Sequence, residues 1–532
     1  MTQFGQQVFA LNPAQLRALK NWTPSERPHK ILPVLLPTPG NPSVGRVRDV
    51  VGQLIGAHQA LRSRLVAADT GGWQQLVLSP QEAVEGLDFA VHDAPIDSDG
   101  AVDVLGVRHD AVDPEERALA CRVYTSGERV RLVLLSVSHL FADGVSQQLL
   151  YRTLDTALSD PAAQVAPPAT QAADFAGDLM TAAMRSNTDA WKNLLRSAPR
   201  ACVFTTGPRD PQEEIHAAQL TLPKDLVSEL PRGSRALGVS PYALWATAMN
   251  LLVSRCTGAD SMVFKTQMAN RTRPAEFEAV AQLAQAAFIP VIGDRSDTVK
   301  GRAATVFEAG LQGQGIGMHD TVELLDWLDH EPVRRGVAFR PAFEINYAAS
   351  IRGARLPQLS RGSPRQEFRE SQRADPQAAG ADLALAVWQE PGTTVVTLRA
   401  KRPVWRARSA VRLLDELIAT VEAICREPDL KVVDVPVTPF QGRERLLGSH
   451  PSGAPIDRDQ MSRLLLAHPH VRSAGFGLYP CGATGVHATV IAGRPTDPAE
   501  LLRAYTERQR WTDGTVVPAE LEISVLDEGA SG

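Results

Sequence analysis

The chain has 532 residues, 44% of them hydrophobic, with a formal net charge of −5 and a pI near 6.2. Single hydrophobic cores stop growing at roughly 250–300 residues, so two or three globular units are expected. The charges are mixed rather than blocked and make no basic face to neutralise a phosphate backbone, which excludes nucleic acid as a partner. The five cysteines, Cys121, Cys202, Cys256, Cys425 and Cys481, are scattered without a CxxC pair and read as buried thiols of a reducing compartment. The amino terminus MTQFGQQVFALNPAQ lacks the basic start and apolar stretch of a signal peptide, and no apolar run approaches the roughly 20 residues that cross a bilayer. A soluble, cytoplasmic protein with no membrane contact is expected.

In chain order, Val47, Val50, Val51, Leu54, Ile55, His58 and Leu61 recur at helical spacing, with Arg62 at the end of that face. RVRLVLLSVS reads as a strand running directly into HLFADG. Asp143-Gly144 is a turn signal, after which Val145, Leu149, Leu150, Leu154 and Leu158 restore a helical stripe. DPAAQVAPPATQAAD, poor in large apolar residues, suits a linker and sets a boundary near residue 170. Beyond it PYALWATAMNLLVSR reads as a buried helix, SMVFKTQMA, AFEINYAAS, DLALAVW and TTVVTLRA as strands, and Val411 to Ile424 as an amphipathic helix. Pro, Gly and Ser then gather near residue 450, and a small unit follows with two helices, DRDQMSRLLLAH and PAELLRAYTERQ, and two strands, GVHATVIAG and ELEISVL. The expected units are 1–170, 171–447 and 455–532, in an α/β or α+β class.

A histidine four residues before an Asp-Gly turn can be aimed from a strand end into a cleft while the aspartate fixes the loop. Gly144 would let the backbone take a tight or positive-φ conformation, and the helix start offers unpaired N–H groups near His139. Six residues alone fit a core histidine beside an ordinary turn better than a catalytic one.

The wider sequence resembles the condensation domains of nonribosomal peptide synthetases, over roughly residues 8–447. FALNPAQLRAL is similar to their LSxAQ opening, GAHQALRSRL to the RHExLRTxF helix, SHLFADGVS to HHxxxDGxS, and AWKNLL to yWxxxL. The stretch ending MANRTRP resembles the helix-strand segment that closes in Gly-Arg or Asn-Arg, ADLALAVWQE the FDLxL strand, and VTPFQGRERLL the closing linker. This resemblance implies two chloramphenicol-acetyltransferase-like lobes in a V-shaped pseudo-dimer, plus the small α+β tail. Donor and acceptor would enter a tunnel from opposite ends and meet at His139.

By the same resemblance His139 is the catalytic residue, Asp143 and Gly144 its scaffold, and Arg271 the partner of Asp143. Ser138 stands where the family's first histidine is found, Ala57 replaces the first Arg of the RHE helix, and the GxFVNT segment is altered to QLAQAAFIPV between Gln282 and Val291. The change at Gln285 would alter the tunnel wall and turn the chain away from a standard aminoacyl-carrier acceptor. Ser146 and the backbone N–H groups after Asp143 are candidates for the oxyanion, with Gln285 and Asn346 as further oxyanion or tunnel-lining positions. His139 would act as general base or position the nucleophile.

The acyl donor would arrive on the phosphopantetheine arm of an acyl or peptidyl carrier protein in trans, since no LGGxS-like serine is present, or on CoA. The acceptor would be a small amine or hydroxyl compound. No metal, and no cofactor bound by the chain itself, is required. The rival reading is a catalytically silent platform that recruits partner enzymes to carrier-bound peptides. The tail resembles the C-terminal subdomain of adenylate-forming enzymes, but no lysine follows Lys431, so a docking role is expected for it. His468 and His470 are read as part of a turn rather than a metal site, GLQGQGIG as a loop or glycine-broken helix, and Trp388 and Trp405 as core.

Overall fold

The computed structural model describes residues 6–20, 31–94, 112–176, 181–199, 214–349, 365–371, 381–401, 409–438, 446–449, 455–478, 486–509 and 516–525, apart from 39, 70, 258, 336–338, 340 and 391. Cys202, Cys481 and Trp405 lie outside the described residues.

The amino-terminal part is built on a four-stranded sheet in the order Ile31–Pro37, Arg129–Ser138, Leu119–Ser126, Asp88–Asp93, antiparallel except for the last pair. Its strand Arg129–Ser138 is buried almost throughout, which is why the sequence shows an unbroken apolar run there instead of alternation. The helix Val44–Ala57 starts at Ser43, whose hydroxyl accepts from the Arg46 N–H, and it buries Val47, Val50, Val51, Leu54 and Ile55. These are the positions at helical spacing in the sequence.

The larger part carries a seven-stranded sheet in the order Gln285–Val291, Met262–Met268, Phe343–Ala349, Leu383–Glu390, Thr393–Lys401, Glu214–Thr221, Arg365–Ser371. Phe343–Ala349 runs parallel to both of its neighbours, and the other pairs are antiparallel. Leu383, Leu385 and Val387 are buried in the same core as the helices Pro241–Thr257 and Ala410–Arg426, while Ala384, Ala386 and Trp388, on the opposite face, are half-buried. GLQGQGIG is neither a loop nor a break: it lies in the continuous helix Val299–Ile316 up to its end at Gly317. Gly313 serves packing, since a Cβ on it would come within 3.2 Å of the Trp191 ring.

The first core cluster runs from Leu11 to Ala172, with Phe175 packed on it, so the chain stays with this cluster past residue 170. Val280, Ala281 and Leu283, more than a hundred residues later, also belong to it. The second cluster opens at Trp191 and the third at Ile456, the latter holding Met461, Leu465, Val490, Leu501 and Tyr505 of the tail. Among the described residues no single helix is long and apolar enough to cross a membrane.

Candidate active site

The central strand ends at Ser138, and the chain turns at once. Ser138 N–H donates to the Ala118 carbonyl at 2.8 Å, its own carbonyl accepts from Phe141 N–H at 3.0 Å, and its hydroxyl accepts from Leu140 N–H at 3.3 Å. Ser138 is fully buried, so this position shapes the turn. His139 follows, half-buried at the strand end. Its Nδ1 lies 3.0 Å from the Ala142 carbonyl oxygen. A carbonyl only accepts, so Nδ1 carries the proton and Nε2 presents a lone pair, the tautomer a proton acceptor needs.

Asp143 caps the helix Gly144–Ser159, its Oδ1 accepting from Ser146 N–H at 3.0 Å and sharing the single Ser146 Oγ–H, also 3.0 Å away, with the Ala281 carbonyl. Its Oδ2 takes Arg271 Nη1–H at 2.5 Å and Leu283 N–H at 3.1 Å. Arg271 fills its remaining donors with the carbonyls of Glu276, Ala269, Ala279 and Ala281, at 3.0 to 3.4 Å, and with Ser146 Oγ at 3.3 Å. A buried ion pair is tolerable only when its hydrogen-bonding groups are matched in this way.

Gly144 departs from the sequence expectation. Its φ is not positive, and a Cβ there would meet nothing within 4 Å. It is the exposed first residue of the helix, so its smallness leaves space in front of the turn instead of permitting a special backbone conformation. The N–H groups of Gly144 and Val145, ahead of the first intrahelical bond from Gln147 N to the Asp143 carbonyl, stand at the helix N-terminus, where partial positive charge collects.

Ser146 is buried, and its hydroxyl meets Asp143, Arg271 and both the N–H and C=O of Ala281. It belongs to the scaffold under the turn rather than to an oxyanion site. Gln285 is also fully buried: its carboxamide binds Asn270 Nδ2, the N–H and carbonyl of His319, and Thr321 Oγ1 at 2.8 to 3.3 Å. The structure therefore replaces its expected tunnel-lining role with an internal tie. Asn346 is exposed on the strand Phe343–Ala349, opposite Ala386. Its face of the sheet also carries Glu344, whose carboxyl burial pushes up but Lys265, 3.1 Å away, and Gln267 pull below the usual carboxylate range.

Sequence reading did not single out Asn12, Gln282 or Leu283 as parts of this site. Asn12 Nδ2–H donates to the Gln282 carbonyl at 2.9 Å, and the Gln282 side-chain nitrogen lies 3.4 Å from His139 Nδ1. The usable signal was a pair of glutamines, Gln282 and Gln285, inside the otherwise apolar run AVAQLAQAAF, because polar side chains in such a run are buried only with a purpose. His468 and His470 pack ring edge to face at 5.2 Å, and His470 N–H donates to His468 Nδ1. Among the described residues no group of three or more His, Cys, Asp or Glu side chains is arranged to hold a metal ion.

A family model for the Condensation domain matches residues 5–447. Tyrocidine synthase 3 of Brevibacillus parabrevis is 22% identical over 413 residues, 74% of this chain but 6% of the synthase. A probable non-canonical nonribosomal peptide synthetase, CymA of Salinispora arenicola (strain CNS-205), is 26% identical over 257 residues, 45% of this chain and 3% of that protein. The chain thus spans a small fraction of the length of these relatives. Among solved structures, the first condensation domain of the calcium-dependent antibiotic synthetase, in complex with a substrate analogue, superposes with a TM-score of 0.61 at 16% identity, covering 81% of this chain and all of that one. The epimerization domain from the third module of tyrocidine synthetase B gives 0.60 at 18% identity, covering 80% and 98%. The SgcC5 protein from Streptomyces globisporus gives 0.59 at 15%, covering 79% and 100%. At these identities the likeness is one of fold, two chloramphenicol-acetyltransferase-like lobes.

Proposed function

Since this chain belongs to the condensation-domain family, which forms amide bonds in nonribosomal peptide biosynthesis, we propose that it is itself an active acyltransferase acting on an activated thioester. The donor is an acyl group on the phosphopantetheine arm of a carrier protein supplied by another chain, or on CoA, and the acceptor is a small amine or, as a variant, a hydroxyl compound. The observation that carries this reading is His139, held at the strand end as the Nδ1–H tautomer with the helix start Gly144–Val145 beside it.

In the proposed step the acceptor nitrogen attacks the thioester carbonyl carbon and the N–C bond forms. His139 Nε2 takes the proton that the nitrogen loses, and the N–H groups at the start of the helix Gly144–Ser159 face the developing oxyanion. The C–S bond then breaks, and the proton passes from His139 to the departing thiolate. A thioester is activated already, so the balance closes without ATP.

The test incubates the purified chain with acyl-pantetheine and acyl-carrier thioesters and a panel of amines and alcohols, following products by mass spectrometry. Wild type should form product and His139→Ala should lose about a hundredfold or more in rate. Equal rates would remove His139 from the chemistry. Absence of product with every donor, together with capture of a loaded carrier, would favour the silent platform.

A further inference from the structure

We propose that Gln282 is a positioning residue for His139, holding its tautomer and ring plane from the segment packed against the turn; for its catalytic consequence this rests on the acyl-transfer reading above. The segment from Ala279 to Ala284 is contributed by the larger part of the chain, yet it is laid against the His139 turn residue by residue. Ala281 binds Ser146 through both its N–H and its carbonyl, Leu283 N–H binds Asp143, and Gln282, between them, is tied by its carbonyl to Asn12. Its side chain, 7% exposed, is thereby delivered to Nδ1 of His139.

The polarity of that contact is informative. Gln282 Nε2 lies 3.4 Å from a ring nitrogen that already donates to Ala142, so two N–H donors face each other, while Gln282 Oε1 is buried with no partner among the described residues. Half a turn about the last side-chain bond exchanges the two atoms. Nδ1–H then has two acceptors, the Ala142 carbonyl and Gln282 Oε1, in place of one acceptor and one clash of donors. Two acceptors on Nδ1–H fix which nitrogen keeps the proton, hold the ring plane, and favour the imidazolium that forms when Nε2 takes a proton. This is the part an orienting carboxylate plays for histidine elsewhere, filled here by a neutral amide. A carboxamide leaves the pair uncharged in the resting state.

Among the described residues, Asp143 and Arg271 close on each other, Glu276 is held by the N–H groups of Thr272 and Arg273, and Arg17 stands on the helix Pro13–Lys20; Arg152 and Asp155 lie farther along Gly144–Ser159, Arg129 and Arg131 at the far end of their strand, and the strand Ile31–Pro37 carries none. Gln282 touches Nδ1 itself, so its substitution is the handle on His139.

The experiment compares wild type with Gln282→Leu and Gln282→Glu by two readouts. The first is the pH dependence of His139 modification by diethyl pyrocarbonate, read by peptide mass spectrometry, which needs no substrate. The second is the acyl-transfer pH–rate profile. Gln282→Glu should shift the His139 titration upward by about one unit and Gln282→Leu should shift it downward, with kcat in the leucine variant falling about ten- to a hundredfold at unchanged donor KM. Titrations that coincide in all three proteins, or that move the same way in both variants, would overturn the assignment. Opposite shifts in a protein that transfers no acyl group would uphold it and refute the acyl-transfer reading instead.

Discussion

Arg271 and Asp143 stand 128 positions apart in sequence and 2.5 Å apart in space, with neither side chain reaching solvent. The pair joins the His139 turn to the strand-to-loop corner after Met268.

Removing one member strands a buried charge, so Arg271→Met should lower unfolding free energy by about 3–5 kcal/mol. The double variant Asp143→Leu, Arg271→Met should lose less than the sum of the two singles, because it buries no orphaned charge. Urea unfolding of the four proteins in a double-mutant cycle measures this; additive losses would mean that the pair does not act as a unit.

Gly144 makes the opposite prediction. With an ordinary φ and nothing within 4 Å of a Cβ, Gly144→Ala should leave the melting temperature nearly unchanged. Gly144→Val should do likewise but slow acyl transfer, since it fills the space before the turn. A large loss of stability in the alanine variant would restore a backbone role for this glycine.

His58 and His319 are both buried, and desolvation holds each down to about 4, from an ordinary 6.5. A folded value below the unfolded one means that the unfolded chain takes up the protons first. Stability is therefore full above about pH 6.5 and declines as pH falls toward 4. By pH 5, where most carboxylates are still ionised, each histidine should have cost about 2 kcal/mol. Urea midpoints between pH 7.5 and 5 should fall in the wild type and fall less in His319→Asn. A flat wild-type profile would contradict neutral burial of these rings.

Gln285 is the fourth test. Its four carboxamide contacts hold the Asn270 side chain and the His319–Thr321 corner, so Gln285→Leu should destabilise by at least about 2 kcal/mol. A residue that lined a tunnel would instead change acceptor preference at constant stability. Melting and an acceptor panel measured on the same preparation separate these outcomes.

Much of this was legible because it rested on local rules. The helical stripe Val47 to Ile55, the apolar run Arg129–Ser138 and the Asp-Gly turn each follow from spacing or turn chemistry. Gly144 was misread because a glycine letter does not say whether its freedom or its smallness is used. GLQGQGIG was misread for the same reason, Gly313 making room for Trp191 within a helix. Ser146 and Gln285 were misplaced because which partners a buried polar side chain meets depends on non-local packing. Gln282 escaped attention because its contact with His139 closes a loop of 143 residues, which no window of sequence contains.

Val280, Ala281 and Leu283 pack in the same core cluster as Val34, Val47 and Leu135, although the chain has by then left that part and traced much of the other. During synthesis the last side chains of that interior are therefore made more than a hundred residues after Ala172. Cut at the linker, the gene's first half would encode a fragment lacking these three side chains and the two donors, Arg271 and Leu283 N–H, that hold Asp143.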